Sequence, residues 1–159
     1  MACPTTIEIP MIQIDLCNEQ DVLAVDELRL RRAVELVLRQ EGIERAVISL
    51  AVIDDPAMHL LNQRYLDHDE PTDVLSFVLE KREGYVEGEI IASAQTAAAT
   101  AAKLGWAAEN ELLLYVIHGA LHLVGYDDLA PEARSQMRDQ ERRCLSEFGL
   151  TPPWSAETF

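Results

Sequence analysis

The stretch from Leu112 to Val124 limits this chain more than any other. Leu112, Leu113, Leu114, Tyr115, Val116 and Ile117, then Leu121, Leu123 and Val124, make a helix there apolar nearly all round. Such a helix has no solvent face and has to be buried among other elements. Two imidazoles, His118 and His122, are set into it. Residues four apart lie one turn apart on the same face, so both rings can reach one point. Polar groups in apolar surroundings need partners, and one shared metal ion satisfies both rings at once. Gly125 follows where a helix can stop on left-handed backbone angles, and the turn sends Asp128 back towards the histidines. His118, His122 and Asp128 are therefore the expected metal ligands, with the adjacent Asp127 as a competitor for the third place. Two imidazoles and a carboxylate suit zinc, one ion per chain, with another divalent metal as the alternative. Three protein ligands leave a fourth position for water, which marks a catalytic site rather than a structural one.

The spacing H-x-x-x-H-x-x-G-x-x-D is similar to the helix, glycine turn and third ligand of the metzincins. Metalloproteases of the H-E-x-x-H type carry their general base directly after the first histidine. Gly119 stands there and cannot take a proton, which argues against peptidase chemistry by that route.

Charge narrows the partners. With 13 Lys plus Arg against 28 Asp plus Glu, the formal net charge is -15. That balance disfavours non-specific attraction to nucleic acid or anionic membrane, so a polyanionic substrate has to find a local basic patch. Arg29, Arg32 and Arg39 are the sizeable basic cluster, either a solvated helix face or a contact for phosphates. Cys3, Cys17 and Cys144 form no C-x-x-C pair and suggest neither a disulfide framework nor a thiolate metal site. No leader sequence and no bilayer-spanning run is evident, so a soluble cytoplasmic protein without membrane partner or nucleotide cofactor is expected.

At 159 residues the chain fits one domain over 1–159, with a mobile tail over 150–159 around Pro152 and Pro153. Ile12 to Leu16 alternates as a strand, and Asp26 caps a helix ending near Gly42. Val47 to Ile53 is a β-branched strand, and Asp55-Pro56 opens a helix to about Tyr65 with the aspartate as cap. Thr72 to Phe77 reads as a strand with Val74 and Ser76 on one face and Leu75 and Phe77 on the other. Gly84 and Gly88 bracket a connection into a strand over Glu89 to Ala92. Ser93 to Leu104 is an alanine-rich helix stopped by Gly105, the histidine-bearing helix spans Glu109 to Val124, and a charged helix runs from Pro131 to Phe148. The expected class is α+β: one mixed four-stranded sheet with four to five helices, the long apolar helix crossing the sheet.

The run His118 to Asp128 resembles the signature of the YbeY family of bacterial endoribonucleases, H-G-x-L-H-L-x-G-Y-D-H, and differs in its last place alone. Leu61-Asn62, Tyr65, Asp69 and Pro71 to Phe77 resemble that family's L-N-x-x-Y-R-x-x-D-x-P-T-D-V-L-S-F, and Gly88-Glu89-Ile90 its G-D-I strand. The resemblance implies a metal-dependent, single-strand-specific endoribonuclease in ribosomal RNA processing, notably small-subunit 3′-end maturation, and in ribosome quality control. It also implies a zincin-like site beside the strand bearing Thr72 to Phe77. Ribosomal RNA is the implied substrate, with ribosomal proteins or ribosome-associated factors as partners. Thr72, Asp73 and Ser76 are candidates for the substrate groove.

Two places depart from the family pattern. Asp128 stands where the family has histidine, and Leu66 stands where it has an arginine suited to holding a phosphate. Arg64 lies two residues before Leu66 and is the alternative cation for that task. The competing function is a ribosome-associated binding protein with a structural metal and little catalysis of its own.

Overall fold

The computed structural model describes residues 11–65 and 73–154, the side chains of 62–65 excepted. Among the described residues four strands form one sheet: β1 (Met11–Glu19), β2 (Arg45–Ile53), β3 (Val74–Arg82) and β4 (Tyr85–Ser93). Their order is β1-β2-β4-β3. β1, β2 and β4 run parallel, and β3 returns antiparallel to β4. Five helices accompany them in the described residues: α1 (Glu27–Gln40), α2 (Asp55–Tyr65), α3 (Ala94–Leu104), α4 (Ala108–Leu123) and α5 (Pro131–Ser146). The mixed sheet and the helix number agree with the α+β expectation.

Register explains the core. Ala46, Ile48, Leu50 and Val52 of β2 pair with Val86, Gly88, Ile90 and Ala92 of β4. All of them are buried, so strand alternation puts one continuous apolar face towards the helices. α4 lies against that face on β3 and β4, and its remaining sides meet α1, α3 and α5. Being covered all round is why the helix carries apolar residues all round. On the opposite face a smaller cluster of Ile53, Met58 and Leu75 packs with Leu61, Phe77 and Ile91. β3 therefore splits as expected, with Leu75 and Phe77 turned to that cluster and Ser76 reaching α4.

Local signals were met with small shifts. Asp26 accepts from the Arg29 amide and caps α1, and Ser93 caps α3, which ends on left-handed Gly105 at φ 81°. The cap of α2 is displaced by one residue: Asp54 Oδ1 accepts from the Ala57 amide at 3.0 Å, so Asp55 is already helical. Its carboxylate instead accepts from the hydroxyls of Ser93 and Thr96. Gly84 occupies the turn between β3 and β4. Gly88 lies inside β4 rather than in a connection, because a Cβ there would sit 2.8 Å from both a Leu123 methyl and the Phe77 carbonyl oxygen. The strand needs glycine for close approach, not for a turn. α5 stops at Ser146, short of Phe148. Of the tail expected to be mobile, Leu150 packs on the core, and Trp154 belongs to it at 6 % exposure.

Candidate metal centre

Three elements bring the donors together. His118 and His122 project from the last two turns of α4. Beyond the helix, the Tyr126 amide donates to the Leu121 carbonyl at 3.0 Å and the Gly125 amide to that of His122 at 3.1 Å. Gly125 has φ 109°. These are the two hydrogen bonds of a Schellman turn, which depends on a left-handed residue after the helix cap. The reversed chain is held from α5, where Arg134 Nε donates to the Asp128 carbonyl at 3.3 Å.

The result is a tight triangle. His118 Nε2 and His122 Nε2 are 3.0 Å apart, and Asp128 Oδ2 lies 3.5 Å from the first and 3.8 Å from the second. Tetrahedral ligands about 2.1 Å from one ion would be separated by roughly 3.4 Å. Asp127, the competitor for the third place, is not in this group, and its Oδ1 accepts from the Leu129 amide at 2.6 Å.

Hydrogen bonding on the far side of each ring tells which nitrogen carries the proton. His122 Nδ1 lies 3.0 Å from the Tyr126 carbonyl oxygen, which can only accept, so Nδ1 is the donor. His118 Nδ1 lies 2.6 Å from Glu141 Oε1, a fully buried carboxylate that also accepts from Arg138 at 2.7 Å. Both Nε2 atoms thus present lone pairs to each other, with a carboxylate oxygen beside them. Three electron-pair donors within such distances repel unless a cation stands between them, and neutral imidazole with its other N–H bonded outwards is the form that ligates metal. Burial, then the neighbouring His118, pushes the His122 pKa below its ordinary 6.5, although Asp128 opposes this. Neutral His122 at pH 7 follows. The donor set fits a divalent metal. It is open on one side, with Asp128 at 38 % side-chain exposure and His122 at 31 %.

Glu141 escaped the sequence reading, although a signal existed. Met137, Glu141, Cys144 and Leu145 are the buried positions of α5, so a glutamate occupies the apolar stripe of an otherwise amphipathic helix. Such a carboxylate needs a partner, and His118 with Arg138 supply it.

The groove candidates fall out unevenly. Ser76 Oγ donates to the Gly119 carbonyl at 3.0 Å, which ties β3 to α4 one residue beyond His118. Asp73 is exposed at the start of β3, its Oδ1 accepting from the Val74 amide. Thr72, Leu66 and the side chain of Arg64 lie outside the described residues. The basic cluster on α1 is partly engaged within the protein: Arg29 donates to Asn110, Arg39 pairs with Glu35, and Arg32 lies over Phe148. Gly119 is required by packing. A Cβ there would stand 2.7 Å from an Ile90 methyl and 3.0 Å from Ser76 Oγ, which leaves no room for a glutamate.

Residues 15–149 match the family model described as Endoribonuclease YbeY. The chain belongs to the endoribonuclease YbeY family. Among curated members, it is 38 % identical over 145 residues to the Endoribonuclease YbeY of Pelotomaculum thermopropionicum, covering 84 % of this chain and 95 % of that protein. Its identity to the Carboxydothermus hydrogenoformans member is 37 % over 140 residues, with 86 % and 97 % covered. To the Rhodopirellula baltica member it is 42 % over 117 residues, spanning 72 % of this chain and 60 % of that longer protein. The solution structure of TM1509 from Thermotoga maritima superimposes with a TM-score of 0.60 at 26 % identity, covering 87 % of this chain and 92 % of that one.

Proposed function

We propose that this chain is a metal-dependent endoribonuclease that processes ribosomal RNA, with maturation of the small-subunit 3′ end and ribosome quality control as its setting. Family membership supports the RNA-cleaving activity. The observation that carries the metal dependence is the convergence of the His118, His122 and Asp128 donors, with both imidazole protons committed elsewhere. Zinc is the metal best suited to two imidazoles and one carboxylate.

When bound, the cation supplies Lewis acidity at the phosphodiester. The chain's own residues do the rest. His118 and His122 offer Nε2 because Glu141 and the Tyr126 carbonyl hold their Nδ1 protons. Asp128 adds a negative charge to the ligand set, which tempers that acidity relative to the three-histidine pattern. Gly119 supplies no general base, and its carbonyl is occupied by Ser76. No helix among the described residues is long and apolar enough to cross a membrane. We place the protein in the cytoplasm, with ribosomal proteins or ribosome-associated factors as partners.

The test couples metal content to turnover of structured ribosomal RNA in the native chain and in the His118→Ala/His122→Ala double variant. Cleavage that survives loss of the metal overturns the proposal.

A further inference from the structure

Glu141 divides its two oxygens between His118 Nδ1 and Arg138, at 2.6 and 2.7 Å, and is fully buried. The guanidinium carbon of Arg138 lies 5.4 Å from the centre of the Trp154 ring, and that of Arg142 lies 4.9 Å from it. Trp154 is itself buried. The family match ends at residue 149, so this tryptophan lies beyond it.

We propose that Trp154, Arg138 and Glu141 form a positioning relay that fixes the His118 ring for the cation, so that metal affinity depends on a residue outside the family match. This rests on the metal reading given above. A buried carboxylate beside a ligand histidine fixes the ring's tautomer and its angle. Arg138 engages the second oxygen of that carboxylate at 2.7 Å, which holds the first in place against the imidazole. Trp154 packs a π face against Arg138, which limits the positions open to the guanidinium. The two ligand histidines then differ in kind. His122 is oriented by a backbone carbonyl that no side-chain substitution removes, whereas His118 is oriented entirely through side chains.

The full chain is titrated with zinc against a chromophoric chelator. In the metal-free protein, imidazole nitrogen shifts measured by NMR report the His118 tautomer. Glu141→Gln should weaken zinc binding roughly 10- to 100-fold and move the His118 shifts towards a mixture of tautomers. Trp154→Ala should weaken it by at least roughly two- to fivefold, the ratio that a single cation–π contact supports, and Trp154→Phe should restore most of the loss. In the double variant the two losses should combine to less than their product, since both act through one ring. Ile14→Ala, a core change on β1, controls for general loosening and should leave affinity unchanged. Native affinity and shifts in Trp154→Ala would overturn the relay, as would an equal loss in Ile14→Ala. A native chain that binds no zinc would instead defeat the metal reading. The affinity claim then falls with it, and the positioning of the ring is decided by the metal-free shifts alone: a His118 that is not Nδ1-protonated, or that Trp154→Ala leaves undisturbed, overturns it.

Discussion

Gly119→Ala is the substitution whose sign is most informative. Alanine in a helix interior is favoured over glycine by about 1 kcal/mol. On an unpacked helix the change would therefore stabilise the protein. Here the new methyl would meet an Ile90 methyl at 2.7 Å, Ser76 Oγ at 3.0 Å and a Val74 methyl at 3.2 Å. Ile90 is fully buried in β4 and has little space to withdraw. Forcing a methyl into a filled core costs about 1 to 3 kcal/mol, so after the helix gain the net loss is up to about 2 kcal/mol. For a chain of this size each kcal/mol moves the melting point by roughly 2 to 4 °C. Relief requires α4 to lift from the sheet, which stretches the Ser76 to Gly119 hydrogen bond and displaces His118. Weakened zinc binding should accompany the loss. Urea unfolding in excess chelator reads the stability term alone, since no metal then contributes. A variant about 1 kcal/mol more stable than the native chain, with unchanged zinc affinity, would show that α4 does not press on the sheet as described.

Asp128→His restores the family's three-histidine pattern and replaces a charged ligand by a neutral one, so hydrolysis should rise or shift its optimum to lower pH. Identical affinity and pH profiles in Asp128→His and Asp128→Ala would remove Asp128 from the ligand set. Burial pushes the Cys144 thiol up to about 11, so at pH 8 only about one part in a thousand is thiolate. Mass spectrometry should find Cys144 unalkylated in the native protein and modified once it unfolds; rapid native labelling would contradict its burial. Leu66→Arg should raise RNA cleavage roughly tenfold or more by adding a charge-assisted phosphate contact. Brisk cleavage by the native chain that Arg64→Ala abolishes, and Leu66→Arg leaves unchanged, would assign that task to Arg64.

What the sequence disclosed followed from how local each signal is. The histidine pair, the glycine turn and the returning aspartate are contained in eleven consecutive residues, so the local part of their convergence is legible at one helix end, whereas the hold that α5 takes on it through Arg134 and Glu141 is not. The α1 and α3 caps were equally local. The α2 cap missed by one residue because Asp54 and Asp55 compete, and Asp55 is drawn instead to Ser93 and Thr96, some forty positions away. Gly88 lies in a strand rather than a connection for the same reason: its need for a bare backbone comes from Leu123 of α4, which no neighbour in sequence announces. Glu141 touches His118 across 23 positions, and Trp154 finds its pocket only once α5 is in place. Contacts made by tertiary packing leave at most a misplaced residue type in the pattern, as a glutamate among apolar neighbours does on α5.

The most direct test of the central claim is metal content measured alongside RNA cleavage on the same preparations of the native chain and of His122→Ala. The account predicts about one equivalent of zinc per native chain, none in the variant, and cleavage that disappears with the metal and returns to the native chain alone on adding it back. A full equivalent of metal retained by His122→Ala, or undiminished cleavage by a metal-free chain, would contradict it.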